Sequence, residues 1–351
     1  MHRGAKGGLS MVAVLLAAAS CGGPQKPSAE APSTANGPAA LPSKSTAPHH
    51  KAGENPFIGA KWWVDPYGQA HLRSLRTKKT DPEASELLAK IADQGGADWV
   101  GEWTPYVENW VSKRVTLLEK NGKFPYFVAY NIPKRDCGQY SAGGASKGEQ
   151  YREWITGFAR GIGDRKAAVI LEPDGLPLMK KCLSDADQKE RLELIKFAVH
   201  TFESWANTWV YVDAGHSGWI PVPEMAARLK AAGIDEADGF SLNVSNYKST
   251  PDLMAYGKQL SAALGGKHFV IDTSRNGNGA PNVDGDSEAA WCNPDGRALG
   301  SPPTTDTKEP LCDAFLWIKK PGESDGTCNG GPKAGEFWQE RALDLAKRSK
   351  W

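Results

Sequence analysis

The segment Ala167–Leu171 constrains the fold of this chain more than any other, because five consecutive apolar residues are followed at once by Glu172, Pro173 and Asp174. An apolar run of this length is typical of a strand buried on both faces, as in a parallel sheet. Proline cannot donate a ladder hydrogen bond, so the strand should end there. Carboxylates at such a strand end lie where α/β and barrel enzymes carry their chemistry. The alternative is that Asp174 caps the next helix.

Short apolar segments alternate with amphipathic ones along the chain. The predicted strands are Lys123–Tyr130, Ala167–Leu171, Trp209–Asp213, Gly239–Asn243, His268–Asp272 and Asp313–Lys319. The predicted helices are Asp81–Gly95, Gln150–Gly163, Ala186–Ala206, Pro223–Gly233, Thr250–Leu264 and Ala334–Lys350. Repeated strand–helix alternation predicts an α/β fold with a parallel sheet. Six or seven strands with right-handed crossovers most simply close into a barrel.

The first 54 residues differ in composition from the rest of the chain. Residues 1–20 have a basic start and a short apolar run, which is typical of a signal peptide. Cys21 follows in a context that resembles a bacterial lipoprotein cleavage site, and ordinary secretion is the alternative. Residues 21–54 are rich in Pro, Ala and Ser and predict a flexible linker. Residues 55–351 read as one globular domain. The predicted location is the outer surface of a bacterial membrane, or the medium.

The overall charge excludes one class of partner. Lys and Arg number 42 against 41 Asp and Glu, a formal charge of +1, so nothing points to nucleic acid or another polyanion. The 13 Trp residues exceed ordinary core needs and suggest flat apolar surfaces for ligands such as sugar rings.

Six cysteines in an exported chain suggest disulfides. If Cys21 carries lipid, five remain and one thiol is free. Cys137 and Cys182 each follow a candidate active-site loop and form a plausible bridge. Cys312 precedes an apolar strand, where a buried thiol is stable. Cys292 is therefore paired with Cys328.

Polar loops follow six of the strands, and in a parallel barrel all six lie at the same rim. Their acidic residues favour carboxylate acid–base chemistry, since no nucleophile elbow or dinucleotide-binding glycine motif occurs. Asp213 and His216 could in principle hold a metal, but a single His among hydrogen-bonding Asp residues is more often an orienting or sugar-binding group. We therefore predict no metal and no cofactor. Paired carboxylates with abundant Trp suit glycoside hydrolysis.

Ordered motifs from Asn55 to Trp351 resemble glycoside hydrolase family 6, the inverting β-1,4-glucanases that include endoglucanases and cellobiohydrolases. The motifs are Asn55–Gly59, Tyr130–Cys137, Leu171–Asp174, Asp213–Trp219, Asn243–Tyr247, Asp272–Gly277, Trp291–Cys292 and Trp317–Gly326. The resemblance implies a distorted, incompletely closed parallel (β/α) barrel, similar to a TIM barrel, with its cleft at the carboxyl ends of the strands. It also implies a β-1,4-glucan substrate, and we expect a monomer.

By the same resemblance, Asp174 is the general acid. Asp136 resembles the residue that keeps this acid protonated, and Asp325 resembles the proposed base, which in this family is also described as acting through water. The substrate-binding residues implied are Trp63, Tyr130, Asp213, His216, Trp219, Asn246, Trp291, Lys319 and Glu323. The bridges Cys137–Cys182 and Cys292–Cys328 match those of the family. Glu172 is left as support, hydrogen-bonded within the rim.

Three departures bear on the mode of attack. Val222 stands where cellobiohydrolases carry a further Trp, and Ala142 stands where relatives often have Ser. The segment from Gly326 to Phe337 is short where cellobiohydrolases have a long insertion, which favours an open cleft and attack within chains. The remaining alternatives are a cellobiohydrolase, a non-catalytic glucan-binding protein and an enzyme for another β-glucan such as mixed-linkage chains.

Overall fold

A computed structural model describes residues 45–283 and 287–351. Within these ranges the chain forms one seven-stranded parallel sheet surrounded by helices. The strands are β1 (Asp98–Val100), β2 (Tyr126–Ala129), β3 (Ala167–Leu171), β4 (Thr208–Asp213), β5 (Gly239–Leu242), β6 (His268–Asp272) and β7 (Cys312–Leu316). The helices are α1 (Gln69–Thr77), α2 (Pro82–Ala92), α3 (Val107–Lys120), α4 (Gly148–Ile162), α5 (Met179–Cys182), α6 (Asp185–Glu203), α7 (Val222–Ala231), α8 (Thr250–Ala263), α9 (Glu288–Trp291) and α10 (Gln339–Lys347).

The strands lie in the sheet in the order in which they occur along the chain, and each pairs in parallel with the next. The sheet curls so that its two edges approach without a ladder between them in the described residues. At this gap the Ala97 N–H donates to the Trp317 carbonyl at 3.2 Å, and the Trp99 indole donates to the Ile318 carbonyl at 2.8 Å. The predicted incompletely closed barrel is therefore confirmed.

Alternate residues along each strand pack into two different cores, as the two-residue period of a strand requires. Outward-facing side chains such as Phe127 and Val169 pack under the helices. Inward-facing side chains fill the barrel, and the large buried ones are aromatic, among them Trp209 and Tyr211. Phe57, from the segment before β1, is fully buried in this inner cluster. The barrel interior is thus filled, which leaves the strand ends as the place for a ligand.

Predicted and observed elements agree closely for β3 and β6 and less well at the chain ends. The predicted closing helix Ala334–Lys350 begins only at Gln339, because the residues before it pair with the stem of the preceding loop, as in the Glu323–Phe337 bridge. The elements β1, α1 and α3 were not predicted. Residues 45–54, predicted as linker, lie against the barrel in the structure: Ser45 and His50 each donate a backbone hydrogen bond to the chain after α6.

The structure contains the two predicted disulfides, Cys137–Cys182 and Cys292–Cys328, and Cys312 is a buried thiol. The predicted signal peptide, the lipid attachment at Cys21 and the first part of the linker lie outside the described residues. No helix among the described residues is long and apolar enough to cross a membrane.

Candidate active site

A cleft of about 320 Å³ lies at the carboxyl ends of the strands. It contains most of the side chains predicted from the sequence: Asp136, Asp174, Asp325, Tyr130, His216, Trp219, Asn246, Trp291 and Lys319. Trp63, Asp213 and Glu323 lie outside its lining. The fold therefore brings together residues that follow six strands, β2 to β7, and that are up to almost 200 positions apart in sequence.

The backbone at this rim is strained in a way that aims side chains into the cleft. Asp136, Glu172, Asp174 and Asn243 all have φ between 50° and 67°, a region that residues other than glycine rarely adopt. Such strain costs roughly 1 kcal/mol or more per residue and clusters at functional sites. At β3 it places two carboxylates of one short turn on different levels, with Glu172 buried below the cleft and Asp174 facing it.

Asp174 is surrounded by other acids. Burial raises the pKa of Asp174 well above its usual range, and the charges of Asp213, Asp136 and Asp325 raise this pKa further. A carboxyl in such surroundings holds its proton near neutral pH, as a general acid must.

Asp213 lies directly beneath Asp174 and is only 1% exposed. Its Oδ2 accepts hydrogen bonds from the backbone N–H groups of Asp174 at 3.0 Å and of Gly215 at 3.1 Å, and its Oδ1 accepts from the Ser241 hydroxyl at 3.2 Å. Burial raises the pKa of Asp213 to about 7 against these donors. Asp213 therefore acts on the position and charge of Asp174, and its predicted contact with a sugar remains a prediction.

Asp136 approaches the cleft from the loop after β2. The backbone N–H of Ser141 donates to its Oδ2 at 2.8 Å and the Gln139 amide to its Oδ1 at 3.3 Å. Burial raises the pKa of Asp136, although these donors oppose the shift. Asp136 and Asp174, whose pKa values are both raised, thus lie together in the cleft.

The loop that carries Asp136 is folded around the buried guanidinium of Arg135. This group donates to the carbonyls of Tyr130 at 2.7 Å and of Ser141 at 2.8 Å, and it pairs with Glu102 at 2.9 Å. The charge of Arg135 helps to lower the pKa of Glu102 despite its partial burial. The Cys137–Cys182 bridge ties the same loop to α5. Arg135 therefore positions Asp136 without lining the cleft.

Glu172 has the supporting place predicted for it. Its carboxyl accepts the backbone N–H groups of Asn131, at 3.0 and 3.1 Å, and of Ile132, at 3.0 Å. Burial raises the pKa of Glu172 to about 7. The side chain thus joins the end of β3 to the turn that follows β2.

Asp325 is 8% exposed and is held by three donors that the sequence did not single out. Its Oδ2 accepts from Arg275 at 2.9 Å, from the Tyr247 hydroxyl at 2.8 Å and from the backbone N–H of Asn293 at 3.1 Å. The Arg275 guanidinium in turn lies 4.4 Å from the centre of the Tyr247 ring. A carboxylate that accepts hydrogen bonds from an arginine and two further donors is held in one orientation.

Several aromatic rings line the cleft. Tyr130 packs edge-on against Trp99 with ring centres 5.2 Å apart, and the His216 and Trp219 rings are 5.0 Å apart. Trp291, at the end of α9, also lines the cleft. Flat rings with polar groups between them match a sugar, which presents apolar faces and hydroxyl edges.

Trp63 and Glu323 line a second hollow beside the cleft, at the gap between β1 and β7. Lys319, which lines the cleft, pairs with Glu323 at 3.8 Å and so joins the two spaces. Trp63 and Glu323 therefore lie where an extended ligand would continue, whereas Asp213 is buried beneath Asp174.

The structure adds cleft residues that sequence reasoning missed. They are Trp99, Gln139, Ser141, Leu178, Lys181 and Ser245. Trp99 belongs to the three-residue strand β1, which is too short to show a periodic pattern. Gln139 and Ser141 lie close after Asp136, and this proximity was the signal that could have identified them.

Comparison with known proteins gives consistent results. The family model for "Glycosyl hydrolases family 6" matches residues 57–349. Endoglucanase A of Cellulomonas fimi is 44% identical over 292 residues, which are 83% of this chain and 62% of that protein. Endoglucanase 1 of Streptomyces halstedii is 40% identical over 310 residues, which are 86% of this chain and 93% of that protein. The chain thus spans less than two thirds of the first relative and nearly all of the second.

A solved structure shows the same fold. The endoglucanase Cel6 from Mycobacterium tuberculosis, in complex with methyl-cellobiosyl-4-deoxy-4-thio-β-D-cellobioside, superimposes with a TM-score of 0.79 at 42% sequence identity. The match covers 84% of this chain and 99% of that one.

Proposed function

Because the chain belongs to glycosyl hydrolases family 6, we propose that it hydrolyses internal β-1,4-glucosidic bonds of cellulose or related β-glucans with inversion of anomeric configuration. The observation that carries this proposal is the cluster of carboxyls around Asp174, whose pKa is raised well above its usual range by burial and neighbouring charge. An acid protonated near neutral pH, in a cleft lined by aromatic rings, is what cleavage of a glycosidic bond requires.

In the proposed reaction Asp174 protonates the departing glycosidic oxygen while water attacks the anomeric carbon from the opposite face. Asp136 keeps Asp174 protonated by like-charge repulsion and takes part in proton movement. The proton lost by the attacking water needs an acceptor, because inversion forms no covalent sugar–enzyme bond.

Asp325 is the proposed acceptor. Its Oδ2 accepts hydrogen bonds from Arg275, from the Tyr247 hydroxyl and from the backbone N–H of Asn293, so these donors already occupy that oxygen. This arrangement suits a base that receives the proton through a chain of waters rather than by direct contact with the attacking one.

The segment after Asp325 supports attack within chains. Ser324 donates to the Glu336 carbonyl at 2.9 Å and Gly335 donates back to the Ser324 carbonyl at 2.9 Å. The segment between them is therefore folded onto its own stem, and the Cys292–Cys328 bridge fastens it to the end of α9. A short segment held in this way supports an open cleft, which an internal stretch of glucan would enter from the side.

The substrate we propose is an extended β-1,4-glucan that occupies both the cleft and the hollow beside it. The cellobiose-derived compound bound to the Mycobacterium tuberculosis enzyme supports this class of ligand. On this chain, Tyr130, Trp219 and Trp291 would contact sugar faces in the cleft, and Trp63 would contact the sugar in the second hollow. No cofactor or metal takes part in the proposed reaction.

Product analysis on a long soluble β-1,4-glucan tests the proposal. We expect viscosity to fall steeply for each reducing end released, and the first product to be the α-anomer by proton NMR. A β-anomer would contradict inversion. Release of cellobiose with nearly unchanged viscosity would indicate a cellobiohydrolase, and binding without release of reducing sugar would indicate a non-catalytic glucan-binding protein. Faster cleavage of a mixed-linkage glucan would reassign the substrate.

We further propose that the protein is exported through residues 1–20, anchored by lipid at Cys21 and active as a monomer. The support is the sequence of the first residues, which lie outside the described structure. Labelling with a radioactive fatty acid should mark the wild-type chain and not a Cys21→Ser variant. Light scattering during gel filtration should give the mass of one chain.

A further inference from the structure

A second cluster of ionisable side chains lies at the end of the barrel opposite the cleft. It consists of His50, Glu203 and Asp238, here called the basal cluster. His50 comes from the segment that docks below the barrel, Glu203 is the last residue of α6, and Asp238 immediately precedes β5. One ligand atom from each of the three lies within 4.8 Å of the others. They border a hollow of about 470 Å³.

The hydrogen bonds of His50 fix which of its ring nitrogens carries a proton. Nδ1 lies 3.1 Å from the Ala206 carbonyl, which can only accept, so Nδ1 is the donor. In the neutral ring Nε2 then has a lone pair, and it faces Asp238 Oδ1 at 2.8 Å. A histidine that donates one ring nitrogen to a carbonyl and aims the other at carboxylates has the arrangement seen in metal-binding histidines.

Asp238 and Glu203 each have a carboxylate oxygen that is free to bind an ion held by His50. Asp238 Oδ2 accepts the Val210 N–H at 2.8 Å, which orients Oδ1 towards His50. No hydrogen-bond donor among the described residues reaches the buried Oε1 of Glu203, whose carboxyl lies beside that of Asp238. Burying such an oxygen is costly unless something binds it. Glu203 also closes α6, where the negative end of the helix dipole favours a cation.

We propose that the basal cluster binds a divalent transition metal of the zinc class through His50 Nε2, Asp238 Oδ1 and Glu203. One imidazole with two carboxylates suits zinc, whereas calcium and magnesium prefer oxygen ligands alone. The hollow leaves room for a water as a fourth ligand.

The charges around the cluster are compatible with a cation there. Lys267 lies at the hollow, but its Nζ is engaged by the carbonyls of Asp235 at 2.9 Å and Ala237 at 2.6 Å. Glu236 pairs with His200 at 2.8 Å, outside the cluster. His268, also at the hollow, pairs with Asp313 at 2.7 Å. The alternative to a metal is that His50 is an imidazolium paired with Asp238 and that the two carboxyls share a proton.

The proposed metal would join three segments that are far apart in sequence. Without it, the segment around His50 is held to the barrel base by backbone hydrogen bonds from Ser45 to Ser204 and from His50 to Ala206, each 2.9 Å long, and by the His50 side chain. A ligand that binds only the folded state stabilises it by mass action. The metal would therefore fasten residues 45–54 to the base of the barrel.

The test uses the full chain, from which bound metal is removed with EDTA before zinc is added back. We expect one zinc per chain by elemental analysis, a melting temperature that rises with zinc concentration, and slower tryptic cleavage after the exposed Lys51. Glu203→Gln and His50→Phe should each abolish all three effects, and the phenyl ring preserves packing on Trp209, now 4.4 Å from the His50 ring. His200→Gln, in the neighbouring pair, is the matched control and should behave as wild type.

Several results would overturn the proposal. Zinc retained by both cluster variants would place it elsewhere, and absence of saturable binding to the wild type would leave the proton-sharing alternative. An equal rise in melting temperature with calcium would exclude the zinc class. If either variant fails to fold, an anomalous diffraction peak at the zinc edge, sought at His50 in zinc-soaked wild-type crystals, decides the question. None of these measurements depends on hydrolytic activity.

Discussion

Replacing Glu172 by Gln should change how the stability of the protein depends on pH. Glu172 is buried below the cleft and accepts the backbone N–H groups of Asn131 and Ile132. Burial raises the pKa of Glu172 from 4.5 to about 7. Gln has the shape of the protonated acid and does not titrate, so it removes this one source of pH dependence.

The sign and size follow from proton linkage. Between pH 4.5 and 7 the folded chain keeps a proton on Glu172 that the unfolded chain has released. The stability contributed by this proton is fully present below pH 4.5 and is lost as the pH rises through about 7. A shift of this size corresponds to about 3 kcal/mol of unfolding free energy.

Urea unfolding of both proteins at pH 4.5 and at pH 8 measures the effect. We expect the unfolding free energy of the wild type, relative to that of Glu172→Gln, to fall by about 3 kcal/mol between these two pH values. Glu153→Gln, the same substitution at an exposed position on α4, is the matched control for the exchange of a carboxyl for an amide. A constant difference for Glu172→Gln would refute the assignment of a raised pKa to the buried carboxyl.

The remaining predictions concern activity and the disulfide. Asp174→Asn should lower kcat on cellulose by about 10²–10⁴-fold while glucan binding persists, and the loss should be smaller on an aryl cellobioside whose leaving group needs no proton, as paired kinetic assays would show. Asp213→Asn should lower the pKa of Asp174 by removing a neighbouring charge, so activity at pH 8 should fall more than activity at pH 5 in a pH–rate profile. Trp63→Ala should raise KM by up to about tenfold for long glucans and little for short oligosaccharides that do not reach its hollow. Joint replacement of Cys137 and Cys182 by Ser should lower the unfolding free energy by about 4 kcal/mol, since the bridge closes a loop of 45 residues, and calorimetry would check it.

The sheet was predictable because its strands are buried on both faces. A fully buried strand such as Ala167–Leu171 contrasts sharply with the polar turns around it, and both β3 and β6 have their predicted bounds. The strand β1 gives no such contrast, since it has three residues, of which Asp98 and Trp99 are half-buried at the open edge of the barrel. Its place was set by pairing with β2, which is a long-range property that local sequence does not contain.

Which residues gather at the cleft was predictable for a similar reason. Which of their side chains face the cleft and which lie beneath it was not. Parallel strands bring their carboxyl ends to one rim, so polar residues after each strand meet there whatever the loops do. Whether a given carboxylate faces the cleft depends on one or two backbone angles. Asp174, with φ of 66°, reaches the cleft, and Asp213, at the end of a regular strand, remains beneath it. Arginine partners such as Arg275 arrive from other strand ends, and the sequence gives no sign of which acid each will bind.

The layering of these acids limits what kinetics alone can assign. Glu172 and Asp213 lie beneath the cleft, each with a pKa raised to about 7, and Asp174 lies above them with a pKa well above its usual range. The charges of Asp213 and Asp174 depend on one another. The apparent pKa on the basic limb of a pH–rate profile therefore describes this pair of carboxyls and not Asp174 alone. The difference in this apparent pKa between the wild type and Asp213→Asn measures how much Asp213 raises the proton affinity of Asp174.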